Sequence, residues 1–261
     1  MRVLFIGDIV GKPGRIMLEK YLPALIDEEK IDCVIANGEN AAAGAGITQK
    51  IFQELLNYGV DMVTMGNHVW DNRDIFRFIE RESRLVRPLN LPPESPGKGW
   101  QVFSVGKEKV AVINVLGMIY LGGNISCPFH GVEDVLKEIH AITPYIFVDF
   151  HGEATSEKQA FGWYFDGRVT GVLGTHTHVP TADSRILPRG TAFQCDVGMT
   201  GPYDGILGMD RDIVLKRFVT GLPERFQVAN GDMQLNGVIM DCDEKGICKE
   251  IRRVHILNPS I

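Results

Sequence analysis

Long apolar runs, clustered cysteines and basic tracts are all missing from this chain of 261 residues. No stretch approaches the roughly 18 uninterrupted apolar residues of a membrane-crossing helix. The opening MRVLFIGDIVG runs straight into a strand pattern, without the long apolar core or small-residue cleavage site of a signal peptide. The five cysteines (Cys33, Cys127, Cys195, Cys242, Cys248) are scattered, odd in number and never spaced C-x-x-C. That argues against a disulfide framework and against a thiolate zinc site. A net charge of −6 with no Lys/Arg run argues against a DNA sheath, which wants a basic face. A small nucleotide or an RNA end stays open, because bound metal adds positive charge that composition does not count. The expectation is a cytoplasmic protein with no membrane partner.

What is present is apolar material for one sizeable core, 44% of the residues, so residues 1–261 are expected to form a single α/β domain. Short apolar runs alternate with amphipathic stretches, the pattern of a parallel sheet flanked by helices. Strands are expected at Arg2–Ile6, Cys33–Ala36 and Asp61–Met65, with helices over Pro13–Glu29, Thr48–Tyr58 and Asp71–Glu80; Thr48 suits an N-cap. Arg87–Gly99 holds four prolines and two glycines and reads as loop. Gln101–Val105 and Lys109–Val115 follow as paired strands, then a Gly-containing loop Leu121–Phe129 and a helix near Val132–Ile142. Tyr145–Phe150 and Val169–Leu173 read as buried strands around a helical Ser156–Phe161. Beyond them come strands Ser184–Leu187 and Ala192–Cys195, a Gly-rich loop Gly198–Gly208 and a helix from Arg211. A hairpin of Gln234–Cys242 and Cys248–Ile256 closes the chain.

Five of the buried-strand candidates end in short polar segments: Gly7-Asp8, Asn37-Gly38-Glu39-Asn40, Gly66-Asn67-His68, Asp149-Phe150-His151-Gly152 and Gly174-Thr175-His176-Thr177-His178. Open α/β sheets bind ligands outside the carboxyl ends of their strands, so parallel strands would gather these tips along one edge. Each residue alone has an ordinary reading. Asp8 could cap a helix, Glu39 and Asn40 could be turn residues, and Asn67 suits a left-handed turn. A lone His68 or His151 could be a hydrogen-bonded structural histidine. His176 and His178 are two apart, so in extended chain both imidazoles face one side. Taken together, four of the seven histidines lie at these tips with the carboxylates Asp8 and Glu39 and the amides Asn40 and Asn67. Clustered without a metal, such groups would compete for too few partners. Oxygen and imidazole donors without thiolate suit iron, manganese or zinc. Six or seven candidate ligands are too many for one tetrahedral zinc and suit two metals sharing a carboxylate.

These residues resemble the calcineurin-like metallophosphoesterase superfamily, with its early Asp, Gly-Asn-His turn, later His and Gly-His-x-His tip. The closer resemblance is to the YmdB-like branch of bacterial phosphodiesterases. It is carried by IGDIVGKPGR ending at Arg15, NGENAAAGAGIT (Asn37–Thr48), GNHVWDN (Gly66–Asn72), DFHGEATSEK (Asp149–Lys158), GTHTHVPTAD (Gly174–Asp183) and DVGMTGP (Asp196–Pro202). The usual Asp-x-His of the superfamily is Asp8-Ile9-Val10 here, and Glu39 stands for the usual bridging Asp.

The resemblance implies mixed β-sheets flanked by helices in an αββα sandwich, and a binuclear phosphodiesterase acting on 2′,3′-cyclic nucleotides. It implies that Asp8, Glu39, Asn40 and His178 hold a first metal, and that Glu39 bridges to a second held by Asn67, His151 and His176. A hydroxide bridging the metals would attack phosphorus while His68 protonates the leaving oxygen, a task suited to imidazole. Iron is the expected metal, with manganese or zinc as alternatives. It further implies a homo-oligomer and a protein partner in RNA processing. Leu121–Phe129 and Gly198–Gly208 are expected at the site rim, with Tyr203 or Phe129 stacking on a base. The rival readings are a phosphomonoesterase on the same scaffold and a regulatory module that binds a nucleotide or partner with little turnover. A dinucleotide-binding fold is excluded because the first turn reads GDIVGKPG, with no G-x-G-x-x-G.

Overall fold

A computed structural model describes residues 1–259. The first half of the chain lays down β1 (Arg2–Ile6), β2 (Asp8–Ile9), α1 (Gly11–Glu29), β3 (Cys33–Asn37), α2 (Gln49–Asn57), β4 (Met62–Thr64) and β5 (Leu85–Val86). Then come β6 (Trp100–Val105), β7 (Glu108–Leu116), α3 (Pro128–His140), β8 (Tyr145–His151), α4 (Thr155–Tyr164) and β9 (Gly171–Thr175). The rest is β10 (Arg185–Ile186), β11 (Ala192–Gln194), β12 (Met199–Pro202), α5 (Arg211–Thr220), β13 (Met233–Cys242) and β14 (Cys248–Asn258). Two mixed sheets result, one in the order β2-β12-β13-β1-β3-β4-β5 with β14 on the other side of β13, the second in the order β10-β11-β9-β8-β7-β6.

Strand alternation decides the layers. Val3 and Phe5 of β1 face inward and pack with Val110, Val112 and Phe147 of the second sheet. Their neighbours Leu4 and Ile6 face outward onto Met17 and Leu22 of α1 and Phe52 of α2. On the far side Ala111, Ile113 and Val148 face α3 and α4 through Val132, Leu136 and Phe161. The layers therefore run helix, sheet, sheet, helix, as the αββα expectation requires. Burying a side chain such as Phe5 contributes about 1.5–3 kcal/mol over leaving it in water. Among the described residues no helix is long and apolar enough to cross a membrane.

Several local expectations hold, and three change. Thr48 caps α2, accepting from Ile51 N at 3.2 Å. The predicted helix Asp71–Glu80 is a single 3-10 turn, Arg73–Arg77. Asn72 Oδ1 accepts from Asp74 N and Trp70 stacks on Phe76, and these local bonds compete with a continued helix. The predicted loop Gly198–Gly208 contains β12, whose residues pair with β2 and β13. The strand tips do not share one sheet edge. Those of β1, β3 and β4 belong to the first sheet and those of β8 and β9 to the second, so the crevice lies across the end of the sandwich.

Candidate metal centre

All of the predicted site residues meet in that crevice except the imidazole of His68, which lies at its mouth. Asp8, Glu39, Asn40 and His151 are buried. Around His151 Nε2 sit Glu39 Oε1 at 3.0 Å, Asn67 Oδ1 at 3.0 Å and His176 Nδ1 at 3.1 Å. Donors about 2.1 Å from one ion and at right angles would be about 3 Å apart, so this spacing is that of ligands sharing a cation. Beside it, His178 Nε2 lies 3.2 Å from Asn40 Oδ1 and 3.9 Å from Asp8 Oδ1. Asp8 Oδ1 is buried without a hydrogen-bond partner, a costly arrangement that a cation at this point would relieve. Gly66 has no side chain for a reason of space: a Cβ there would overlap Glu39 Oε2 and His151 Nε2.

The outer nitrogens of the three imidazoles are all tied. His151 Nδ1 bonds Thr175 Oγ1 at 2.9 Å, and that hydroxyl donates onward to Asp149 Oδ1 at 2.6 Å. His176 Nε2 reaches Glu153 Oε2 at 3.1 Å, and His178 Nδ1 donates to the Leu207 carbonyl at 3.0 Å. Each inner nitrogen thereby faces the crevice, where it would present a lone pair once an ion displaces any proton there. Such ties are the usual outer support of metal-binding histidines. His176 and His178 do face one site, but not because the chain is extended. Both adopt positive φ, 100° and 65°, and they split between the two groups of ligand atoms. Non-glycine residues held in this region store strain, which collects at functional sites.

A second layer was not foreseen from the sequence. Asp149, in the middle of apolar β8, accepts from Thr64 Oγ1, Asn37 Nδ2 and Thr175 Oγ1. Lys158 is buried and donates to the Thr175 carbonyl and to Asp196, each at 2.8 Å. Asp196 in turn accepts from Thr177 N at 3.0 Å, which fixes the turn carrying both histidines. The available signal was a charged residue inside an apolar strand, because such a residue needs buried partners.

Charge in the cluster is strongly coupled. Burial pushes Asp8 up to about 6 although His178 and His151 pull it down. Burial also works to raise Glu39, but His151 and His68 outweigh it and bring it to about 2. His151 loses charge to burial, yet Glu39 and Asp8 lift it to about 9. Burial and the neighbouring His151 lower His176 to about 3.

His68 donates its backbone N–H to Glu39 Oε2 at 3.2 Å, while its imidazole turns outward with Nδ1 2.8 Å from Asp71 Oδ2. It lines a cavity of about 470 Å³ together with Glu39, Asn40, His176 and His178. The rim differs from expectation. Phe129 is half-buried against Phe161 and Tyr164 of α4, and neither it nor Tyr203 lines this cavity. Only the end of the Gly198–Gly208 segment contributes, through Ile206 and Leu207.

Known proteins share this arrangement of chain. A solved structure of a hypothetical protein from Thermus thermophilus superposes with a TM-score of 0.94 at 42% identity, covering 99% of this chain and 100% of that one. A phosphatase structure from Mycoplasma pneumoniae superposes with a TM-score of 0.93 at 36% identity, covering 99% and 94%. A Bacillus subtilis (strain 168) protein named 2′,3′-cyclic-nucleotide 2′-phosphodiesterase is 54% identical over 245 residues, 94% of this chain and 92% of that one. The family model described as YmdB-like protein matches residues 4–254, and the chain belongs to the YmdB-like family.

Proposed function

We propose that the chain is a metal-dependent phosphodiesterase that opens 2′,3′-cyclic nucleotides at the 2′-oxygen. The observation that carries this reading is the trio of imidazoles whose outer nitrogens are tied to Thr175, Glu153 and Leu207. In this proposal Asn67, His151 and His176 would hold one ion and Asp8, Asn40 and His178 the other, with Glu39 available to both. The donor set contains imidazole, amide and carboxylate but no thiolate, which iron, manganese and zinc all accept; iron is the metal the family resemblance implies. When bound, the ions supply an activated water and neutralise charge on the non-bridging phosphate oxygens.

The protein's own groups supply the rest. His68 lies outside the cluster but on the same cavity, with Nδ1 held by Asp71. That contact orients the imidazole and leaves Nε2 to protonate the leaving 2′-oxygen. The P–O2′ bond breaks, water oxygen joins phosphorus, and the product is a 3′-monophosphate. Asp149 and Thr175 keep His151 Nε2 aimed inward. Ligand atoms come from both sheets, which supports reading the chain as one domain. The free cysteines support a reducing, cytoplasmic setting.

The test compares adenosine 2′,3′-cyclic phosphate with adenosine 3′-monophosphate as substrates of metal-loaded protein. Ring opening without dephosphorylation is expected. Release of inorganic phosphate from the monoester at a comparable rate would overturn the diesterase reading.

A further inference from the structure

We infer that α5 and the segment 222–229 form a nucleobase subsite that holds any base without reading it, an inference resting on the cyclic-nucleotide reading above. The cavity over the ligand cluster is about 470 Å³, within the range of small-molecule sites, roughly 300–1,000 Å³. Its two sides are unlike. One carries the histidines, Glu39 and Asn40; the other is built from Ile206, Leu207, Met209, Val214, Phe218 and Phe226. Phe218 is 80% exposed and Phe226 39% exposed, large aromatic faces left in water beside a polar site. A planar base laid on them would cover that apolar surface, and every base has a face to stack.

The wall is fixed relative to the phosphate end of the cavity. Leu207 adopts φ 52° and gives its carbonyl to His178 Nδ1 at 3.0 Å, so one histidine joins the wall to the ligand cluster. A nucleotide with its phosphate at the cluster therefore meets the wall with its other end.

Indifference to base identity follows from where the polar groups are spent. Ile206 and Met209 exchange backbone hydrogen bonds of 2.9 and 3.0 Å, and the Gly44 carbonyl accepts from Asn40 Nδ2. The Leu207 carbonyl is already taken by His178. Discrimination between bases requires donors and acceptors held ready for their edges, and among the described side chains lining the wall Arg217 alone carries polar atoms. That guanidinium lies 5.0 Å over the Phe226 ring, where it extends the stacking surface.

The test uses equilibrium binding to metal-loaded protein and so does not depend on turnover. Adenosine 3′-monophosphate and uridine 3′-monophosphate are compared with the 3-phosphate of methyl riboside, which has no base. Both nucleotides are expected to bind about tenfold or more tighter than the baseless compound. Phe218→Ala and Phe226→Ala should each bring the nucleotides toward the baseless value. Equal binding of all three compounds, or a preference that survives both substitutions, would overturn the subsite. So would a preference for one base above about a hundredfold, since that needs edge reading. If Phe218→Ala instead changes the sedimentation of the protein and spares the binding preference, the aromatic face is a contact between copies and the subsite is wrong. Cyclic substrates are assayed in parallel. Tighter binding of both nucleotides than of the baseless compound, with no hydrolysis, would support the subsite while removing the proposed function.

Discussion

His151 Nε2 has three donor atoms within 3.1 Å, and its other nitrogen is anchored through Thr175 to a carboxylate buried in a strand. Asp8 Oδ1, across the crevice, has two imidazole nitrogens at 3.9 Å and no hydrogen bond. The first group stands at the spacing of a coordination shell before any ion is considered; the second does not. The difference traces to support. His151 ends the regular strand β8 and His176 follows β9, with Asp149, Lys158 and Asp196 packed behind them. Asn40 lies in a glycine-rich turn, and the outer nitrogen of His178 rests on the loop carbonyl of Leu207. Pre-formed ligands lose less freedom on binding, so the His151 side should fill first and tightest.

Removing the centre of the tight side should have the largest effect. His151→Ala is expected to lower turnover by about 10³-fold or more, because a lost ion forfeits several kcal/mol of charge stabilisation. Elemental analysis should find no more than one tightly held ion per chain. Two tightly held ions in this variant would break the comparison.

His68 belongs to neither side, and its substitution separates chemistry from metal binding. His68→Ala should cost about 10²-fold or more on a diester with an alkoxide leaving group. A nitrophenyl leaving group needs less protonation, so the loss there should be smaller. Metal content should match that of the unmodified protein. A drop in bound metal would make His68 a ligand and displace it from the acid role.

The contrast between the two sides also shows what the sequence could and could not announce. The candidate ligands were legible because polar residues at the ends of apolar strands are conspicuous: Asp8 after RVLFI, Glu39 after CVIAN, His151 in YIFVDFH. Their supports were not. Asp149 stands out inside an apolar strand, but its partners lie on β3, β4 and β9, and no local spacing reveals those. The same holds for Lys158, whose helical position looks solvent-facing until Asp196 arrives 38 residues later. In the fold, β1 was plain as an apolar run and the closing hairpin as two strands joined by DEKG, whereas β12 was hidden because four residues containing Gly and Pro carry no periodicity. The assignment of tips to two sheets depends on long-range pairing that an apolar run does not encode.

The support itself can be removed. Thr175→Val keeps the shape but leaves His151 Nδ1 without its acceptor, and outer-layer changes of this kind typically cost about 10–100-fold in metal affinity. The loss should fall on the tight side alone, read by competition with a metal-buffering chelator. An equal loss on both sides would mean that the second layer supports the cluster as a whole. Proton competition gives the same contrast. In the apo protein His151 holds its proton up to about 9, so an ion must displace it, and affinity there should rise between about pH 6 and 8. Asp8 releases its proton at about 6, so the other side should gain little above about pH 7. Parallel pH dependence on the two sides would remove this distinction.

The smallest effect is expected at Asn40, and it decides what the loose side is made of. Asn40 Nδ2 donates to the Gly44 carbonyl at 3.0 Å, which turns Oδ1 toward His178 Nε2. Asn40→Ala should weaken the loosely held ion by about tenfold, recoverable with excess metal, and leave the His151 side as it was. Asn40→Asp separates the two ways this can arise. A carboxylate keeps the oxygen and adds charge but cannot donate to Gly44. If Asn40 holds the ion directly, the Asp variant should keep affinity close to that of Asn, because the ion gains from the charge what the turn loses. If Asn40 instead orders the turn, Ala and Asp should fail equally, and the loose side would rest on Asp8, His178 and the shared Glu39.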